Sequence, residues 1–134
     1  MKIGIFGGTF NPPHLGHLAA ARTAIDVLGL DKLLIIPDAI PPHKELPEGT
    51  PAPEHRLAMA EKLADALLLP QVVQLSEMEL KREGKSYTAD TLAALREEYP
   101  EAELWLLMGT DMFLTLHRWR EPEKILKLAG VCAF

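Results

Sequence analysis

Two glycines, Gly7 and Gly8, end the apolar run of residues 3–6, and two histidines, His14 and His17, follow within ten residues. Glycine has no Cβ, so backbone N–H groups there can approach a ligand that any other residue would hold off. A helix opening near His14 would aim its free N–H groups and the positive end of its dipole at the same spot. At i and i+3, His14 and His17 would share one helix face and could both reach a single polyphosphate. The segment lacks the GxGxxG spacing of a dinucleotide fingerprint, and no GKS or GKT follows as in a Walker A loop. Zinc is a rival use for paired histidines, but there is no HExxH, and Asp38, His43, Asp111 and His117 are scattered over different loops. Simple capping and packing would account for one histidine; it does not account for the glycines and prolines that precede the pair.

These residues need a scaffold, and the hydrophobic pattern supplies one. Short continuous apolar runs at residues 3–6, 33–36, 72–75, 104–108 and 131–134 fit strands buried on both faces of a parallel sheet. Helical stripes alternate with them. The first carries Leu18, Ala21, Ile25 and Leu28 and ends at Gly29; the second carries Leu57, Ala60, Leu63, Ala64 and Leu67 before Pro70. Thr88 is placed to cap a third, with Leu92, Leu95 and Tyr99 ahead of Pro100, and a fourth covers residues 122–128, with Gly130 just beyond. The alternation predicts an α/β fold with a doubly wound parallel sheet and right-handed crossovers. Ligands of such sheets bind beyond the carboxyl ends of the strands, where strand order reverses. The loops to search are therefore 7–17, 37–44, 84–88 and 109–119. The Pro-, Gly- and Glu-rich stretch 37–53 reads as a mobile loop rather than a linker.

At 134 residues and 48% apolar, the chain is expected to form one domain, residues 1–134, burying roughly two-thirds of its unfolded surface. Net charge is −5, and no basic stripe tracks a nucleic-acid backbone, so nucleic acid is not an expected partner. The single cysteine, Cys132, reads as a small buried hydrophobe. No secretory pattern opens the chain, and no apolar run approaches the ~20 residues of a membrane helix, so a cytoplasmic protein away from membranes is expected.

The stretch Gly8-Thr9-Phe10-Asn11-Pro12-Pro13-His14-Leu15-Gly16-His17 resembles the HxGH signature of the nucleotidylyltransferase superfamily. Pro41-Pro42-His43-Lys44, the segment EMELKREGKSYTADTL at 77–92, and Gly109-Thr110-Asp111 followed by Leu116 and Trp119 resemble the bacterial nicotinate mononucleotide adenylyltransferases in particular. The match runs in order along the whole chain. HxGH alone marks only the superfamily; SYTxDTL with GxDxxxxLxxW narrows it.

The resemblance implies that ATP and nicotinate mononucleotide give nicotinate adenine dinucleotide and pyrophosphate. Such a reaction is a direct displacement at the α-phosphorus; it needs positioning and charge neutralisation rather than a protein nucleophile. Gly7, Gly8, Thr9 and Phe10 would serve ATP, with His14 and His17 on its phosphates, one or both as imidazolium. Lys44, helped by His43, would bring a cation from the second loop. Gly109 and Asp111 would serve the ribose or adenine side. At the acceptor end Trp119 would stack on the pyridinium, while Tyr87 and Thr88 would offer backbone N–H groups to the nicotinate carboxylate. Trp105 is assigned to ordinary core packing, and Arg82 and Asp90 to shaping their loop by pairing. Mg²⁺ is expected to arrive with ATP, held mainly by phosphate oxygens and water. Acceptors such as nicotinamide mononucleotide or phosphopantetheine, and a non-catalytic nucleotide-binding role, are the alternatives.

Relatives of this kind continue past the fifth strand to a segment resembling ISSTxIR, absent from the 134 residues. The expectation is a C-terminally incomplete, weakly active domain whose uncovered sheet face could support a homo-oligomer.

Overall fold

The structure, a computed structural model, describes residues 1–8, 10, 14–38, 49, 52–82 and 86–134. Strand β1 (Lys2–Gly8) has β2 (Lys32–Pro37) on one side and β4 (Glu103–Met108) on the other. Outside these lie β3 (Val73–Leu75) and β5 (Gly130–Ala133), so the sheet order is β3-β2-β1-β4-β5 with every pairing parallel. Ile5 pairs with Leu34 and with Leu106, placing three apolar residues side by side at the sheet centre.

The helices are α1 (Leu15–Leu28), α2 (Pro53–Ala66), α3 (Thr88–Glu98), α4 (Thr110–Phe113) and α5 (Pro122–Leu128). They divide between the sheet faces. Ile3, Ile5, Leu34, Ile36, Leu104 and Leu106 pack with Leu92 and Leu95 of α3 and Ile125 of α5. Phe6, Leu33, Ile35 and Leu107 pack with Ala21 and Ala24 of α1 and Ala60 and Leu63 of α2. Alternation along each strand thus feeds two cores, and fully burying each Ile or Leu is worth about 1.5–3 kcal/mol. Trp105 packs against the second of these cores, as its assignment to packing anticipates.

Gly29 caps α1 at φ 65°, a left-handed conformation that glycine adopts without Cβ strain. Arg96 ties the far ends of α3 and α5, donating to the carbonyls of Tyr99, Pro100, Ala102 and Leu128.

Five strands and four helices thus fall where the apolar pattern puts them, the third strand starting one residue later, at Val73. Two details differ. Tyr87, not Thr88, occupies the N-cap of α3, no side chain caps the helix, and Thr88 is its first residue. The segment after β4 is not plain loop: it forms α4 and a 3₁₀ turn at Leu116–Arg118. Short turns of this kind carry too few residues for a periodic signal.

Candidate nucleotide-binding site

Strand order reverses between β1 and β4, so the crevice of this sheet opens beyond their carboxyl ends. The loop after β1 enters α1 there, and Gly109, Thr110 and Asp111 leave β4 beside it. A Cβ added at Gly7 or Gly8 would make only ordinary contacts, 3.7 Å from the Ile36 carbonyl oxygen and 3.6 Å from the Phe10 ring. Packing against the described residues therefore does not demand glycine at either position.

His14 and His17 come together as a capping box. The Gly16 N–H donates to His14 Nδ1 at 3.0 Å, and the His14 N–H donates to His17 Nδ1 at 3.0 Å. The ring centroids lie 4.0 Å apart. His17 rests edge-on against Phe10, centroids 5.3 Å apart, and Phe10 is 2% exposed with its backbone at φ 49°. A bulky residue in that left-handed region costs about 1–2 kcal/mol, so the turn into α1 holds strain at the site.

The box engages Nδ1 of both rings, so capping, expected to account for one histidine, accounts for a bond at each. An Nδ1 that accepts a backbone N–H carries no proton, which leaves Nε2 of each ring as the position for a donor N–H. Burial, and then the neighbouring His14, push His17 below its usual value. Imidazolium is the form expected with the anion bound; in the capped arrangement, protonating either Nδ1 would break its bond to a backbone N–H. The pair stands at the N-terminus of α1 with both Nδ1 atoms engaged.

Gly16 is the residue that sequence reasoning did not single out within its own motif. A Cβ there would lie 2.7 Å from the His14 ring, because that imidazole folds back over the Gly16 backbone to accept its N–H. The glycine in His-Leu-Gly-His is thus set by the histidine two residues earlier. Gly16→Ala is expected to leave stability nearly unchanged, alanine's better helix propensity offsetting the disturbed His14 cap, while displacing the His14 ring and weakening ATP binding about tenfold. Thermal melting and titration calorimetry check the two halves.

Around the far side of the crevice, Asp111 is exposed in the first turn of α4, and the Thr110 N–H and hydroxyl both donate to the Phe134 carbonyl at 2.8 Å. Trp119 is 9% exposed, packed in the core of α3 and α5, and its indole N–H donates to Thr115 Oγ1 at 3.1 Å. Tyr87 and Thr88, both half-buried, stand at the uncapped N-terminus of α3. The Arg120 guanidinium lies 4.7 Å over the Tyr87 ring, a cation next to that helix start which the sequence reading passed over; its only sequence signal is its place directly after Trp119. Arg82 donates to Thr91 Oγ1 at 2.7 Å, so its partner is Thr91 rather than the expected Asp90. Thr9, His43 and Lys44 lie outside the described residues.

A helix start with paired donors, at the reversal point of a 3-2-1-4-5 parallel sheet, is the arrangement of a nucleotide-binding α/β domain. The chain matches the cytidylyltransferase-like family over residues 5–134 and belongs to that family. Among curated relatives, a protein of Pelobacter propionicus named "probable nicotinate-nucleotide adenylyltransferase" is 46% identical over 127 residues, covering 95% of this chain and 57% of the relative. The Bacillus subtilis nicotinate-nucleotide adenylyltransferase is 41% identical, covering 95% of this chain and 65% of its own length. The chain thus spans less than two-thirds of the length of these relatives. In fold, it superposes at TM-score 0.77 and 16% identity on Plasmodium falciparum nicotinic acid mononucleotide adenylyltransferase, covering 99% of this chain and 73% of that one.

Proposed function

We propose that the protein transfers the adenylyl group of ATP to nicotinate mononucleotide, releasing pyrophosphate and forming nicotinate adenine dinucleotide, in the cytoplasmic synthesis of NAD. The observation that carries this reading is the reciprocal His14–His17 box, which fixes two imidazole N–H donors at the mouth of α1. Its support is the name borne by relatives more than 40% identical to this chain.

The acceptor's phosphate oxygen attacks the α-phosphorus in line, and pyrophosphate leaves. No protein atom becomes bonded to the transferred group. Gly7, Gly8, Thr9 and Phe10 let the backbone approach ATP, and His14 and His17 donate from Nε2 to its phosphate oxygens. Lys44 and His43 add charge from the second loop, and Gly109 and Asp111 bind the ribose or adenine end. Trp119 forms a wall for the pyridine ring, and Tyr87 and Thr88 offer N–H groups to the carboxylate, where a full negative charge is rewarded over an amide. Mg²⁺ would arrive with ATP, held by phosphate oxygens and water, and would supply charge neutralisation. No described helix is long and apolar enough to cross a membrane.

The test is pyrophosphate release from ATP with nicotinate mononucleotide, nicotinamide mononucleotide or phosphopantetheine as acceptor. Preference for the nicotinate acceptor is expected. Preference for another acceptor, or ATP binding by calorimetry with no turnover on any of them, overturns the reading.

A further inference from the structure

A second polar cluster lies behind the acceptor end and plays no part in the steps above. Glu79, in the turn after β3, accepts a hydrogen bond from the Thr91 hydroxyl at 2.8 Å. Arg82 donates to the same hydroxyl oxygen at 2.7 Å, so Thr91 gives its one proton to Glu79 and takes one from Arg82. The Ser86 hydroxyl donates to the Glu79 carbonyl at 3.4 Å. Thr91 is 1% exposed and Ser86 4%. The Thr91 N–H in turn donates to the Tyr87 carbonyl at 3.1 Å, so the hydroxyl held by Glu79 belongs to the residue that closes the first turn of α3.

Helix α3 has no side-chain cap of its own. Its start is held instead from one turn inside, by a carboxyl and a guanidinium gripping one buried hydroxyl. We propose that Glu79 is a positioning residue for the acceptor end of the site: with Arg82, through Thr91, it fixes the first turn of α3 and so the Tyr87–Thr88 backbone that meets the acceptor's acid group. This rests on the proposed function for its substrate but not for its structural half.

The surroundings of Glu79 make the device responsive to protons. Burial, with a smaller push from Asp38, raises it to about 7, against favourable contributions from Thr91 and Arg82. Among the described residues the groups facing it are Asp38 from the end of β2, Arg82 from its own loop and Thr91 from α3, with Arg56 of α2 bonded to Asp38 behind them. The carboxylate accepts from Thr91 more strongly than the acid does, so the grip tightens as pH rises through about 7.

Thr91→Val removes the hydroxyl at nearly constant volume, and Glu79→Gln keeps an acceptor while removing the titration. Thr91→Val and Glu79→Ala are expected to raise KM for nicotinate mononucleotide about tenfold, with KM for ATP and kcat within about twofold. Glu79→Gln is expected to recover acceptor affinity relative to Glu79→Ala and to abolish the fall of acceptor KM across pH 6–8. Equal losses for ATP and acceptor, or Glu79→Gln no better than Glu79→Ala, would show a merely structural role. A second readout needs no turnover: in ¹⁵N-labelled wild-type protein the Tyr87 and Thr88 amide shifts are expected to titrate near pH 7, and in Glu79→Gln they are not. Flat amide shifts in the wild type overturn the coupling. Titrating amides without turnover of nicotinate mononucleotide remove the substrate assignment and leave the positioning device standing.

Discussion

His14→Asn is expected to keep helix α1 intact while lowering adenylyl transfer about 10²-fold, whereas His14→Ala should also lose about 1 kcal/mol of stability. The contrast follows from the two duties of one ring. Its Nδ1 caps the helix by accepting from Gly16, and its Nε2–H is free for an anion. Asparagine is among the best N-caps and can take over the first duty, but a shorter amide does not reproduce the second. His17→Gln tests the partner in the same way, because glutamine at this position can close a capping box with the His14 N–H. Pyrophosphate release measures the chemistry, ATP titration by calorimetry the binding, and thermal melting the cap. A fully active His14→Asn would assign the histidine to capping alone.

The same box fixes a pH dependence. His17 is held below its ordinary value of 6.5, chiefly by burial. The unfolded chain therefore binds the proton more readily, so the stabilisation is present above 6.5 and is lost as pH falls below it. Glu79 works in the opposite sense: its value is raised, so its contribution is complete at low pH and is lost as pH rises through about 7.

Arg56→Met is the substitution expected to cost the fold most, about 3 kcal/mol or more, read as a lowered urea midpoint. Arg56 is fully buried in the first turns of α2. Its Nη1 donates to the Asp38 carbonyl at 2.7 Å and lies 3.4 Å from the Asp38 carboxylate, joining α2 to the end of β2. Methionine fills much of the volume but takes the guanidinium away from a buried carboxylate and a buried carbonyl. Arg56→Met with Asp38→Asn is expected to recover part of the loss, because the charge that faced Arg56 goes with it. No recovery would mean that the charge pair with Asp38 is not what carries the stability. Nothing in the spacing of Asp38 and Arg56 suggests this pair. They are 18 residues apart, and only the parallel packing of β2 beside β3 and under α2 brings them together.

Much of the scaffold was legible beforehand for a plain reason: strands buried on both faces must be continuously apolar, and residues 3–6, 33–36 and 104–108 are. Helix α5 could be read to its ends because Pro122 opens it and the apolar stripe stops at Leu128. Thr88 misled as a cap because Thr is a good cap in general, while here the chain enters α3 one residue earlier and Thr91 is gripped from behind. Capping preference is local; the grip comes from residues 9 and 12 positions away.

By itself the sequence determined on which strand ends the candidate residues stand. Gly7, Gly8, His14 and His17 follow β1, and Gly109 and Asp111 follow β4, because local apolar pattern and breakers mark those boundaries. What only the tertiary structure decided is their state. Each Nδ1 of the pair accepts a backbone N–H, and burial holds His17 below its ordinary value. Glu79 lies near neutrality because the fold buries it close to Asp38. Protonation depends on desolvation and on the nearest hydrogen-bond partner, and those are properties of the folded surroundings, which residue order does not display.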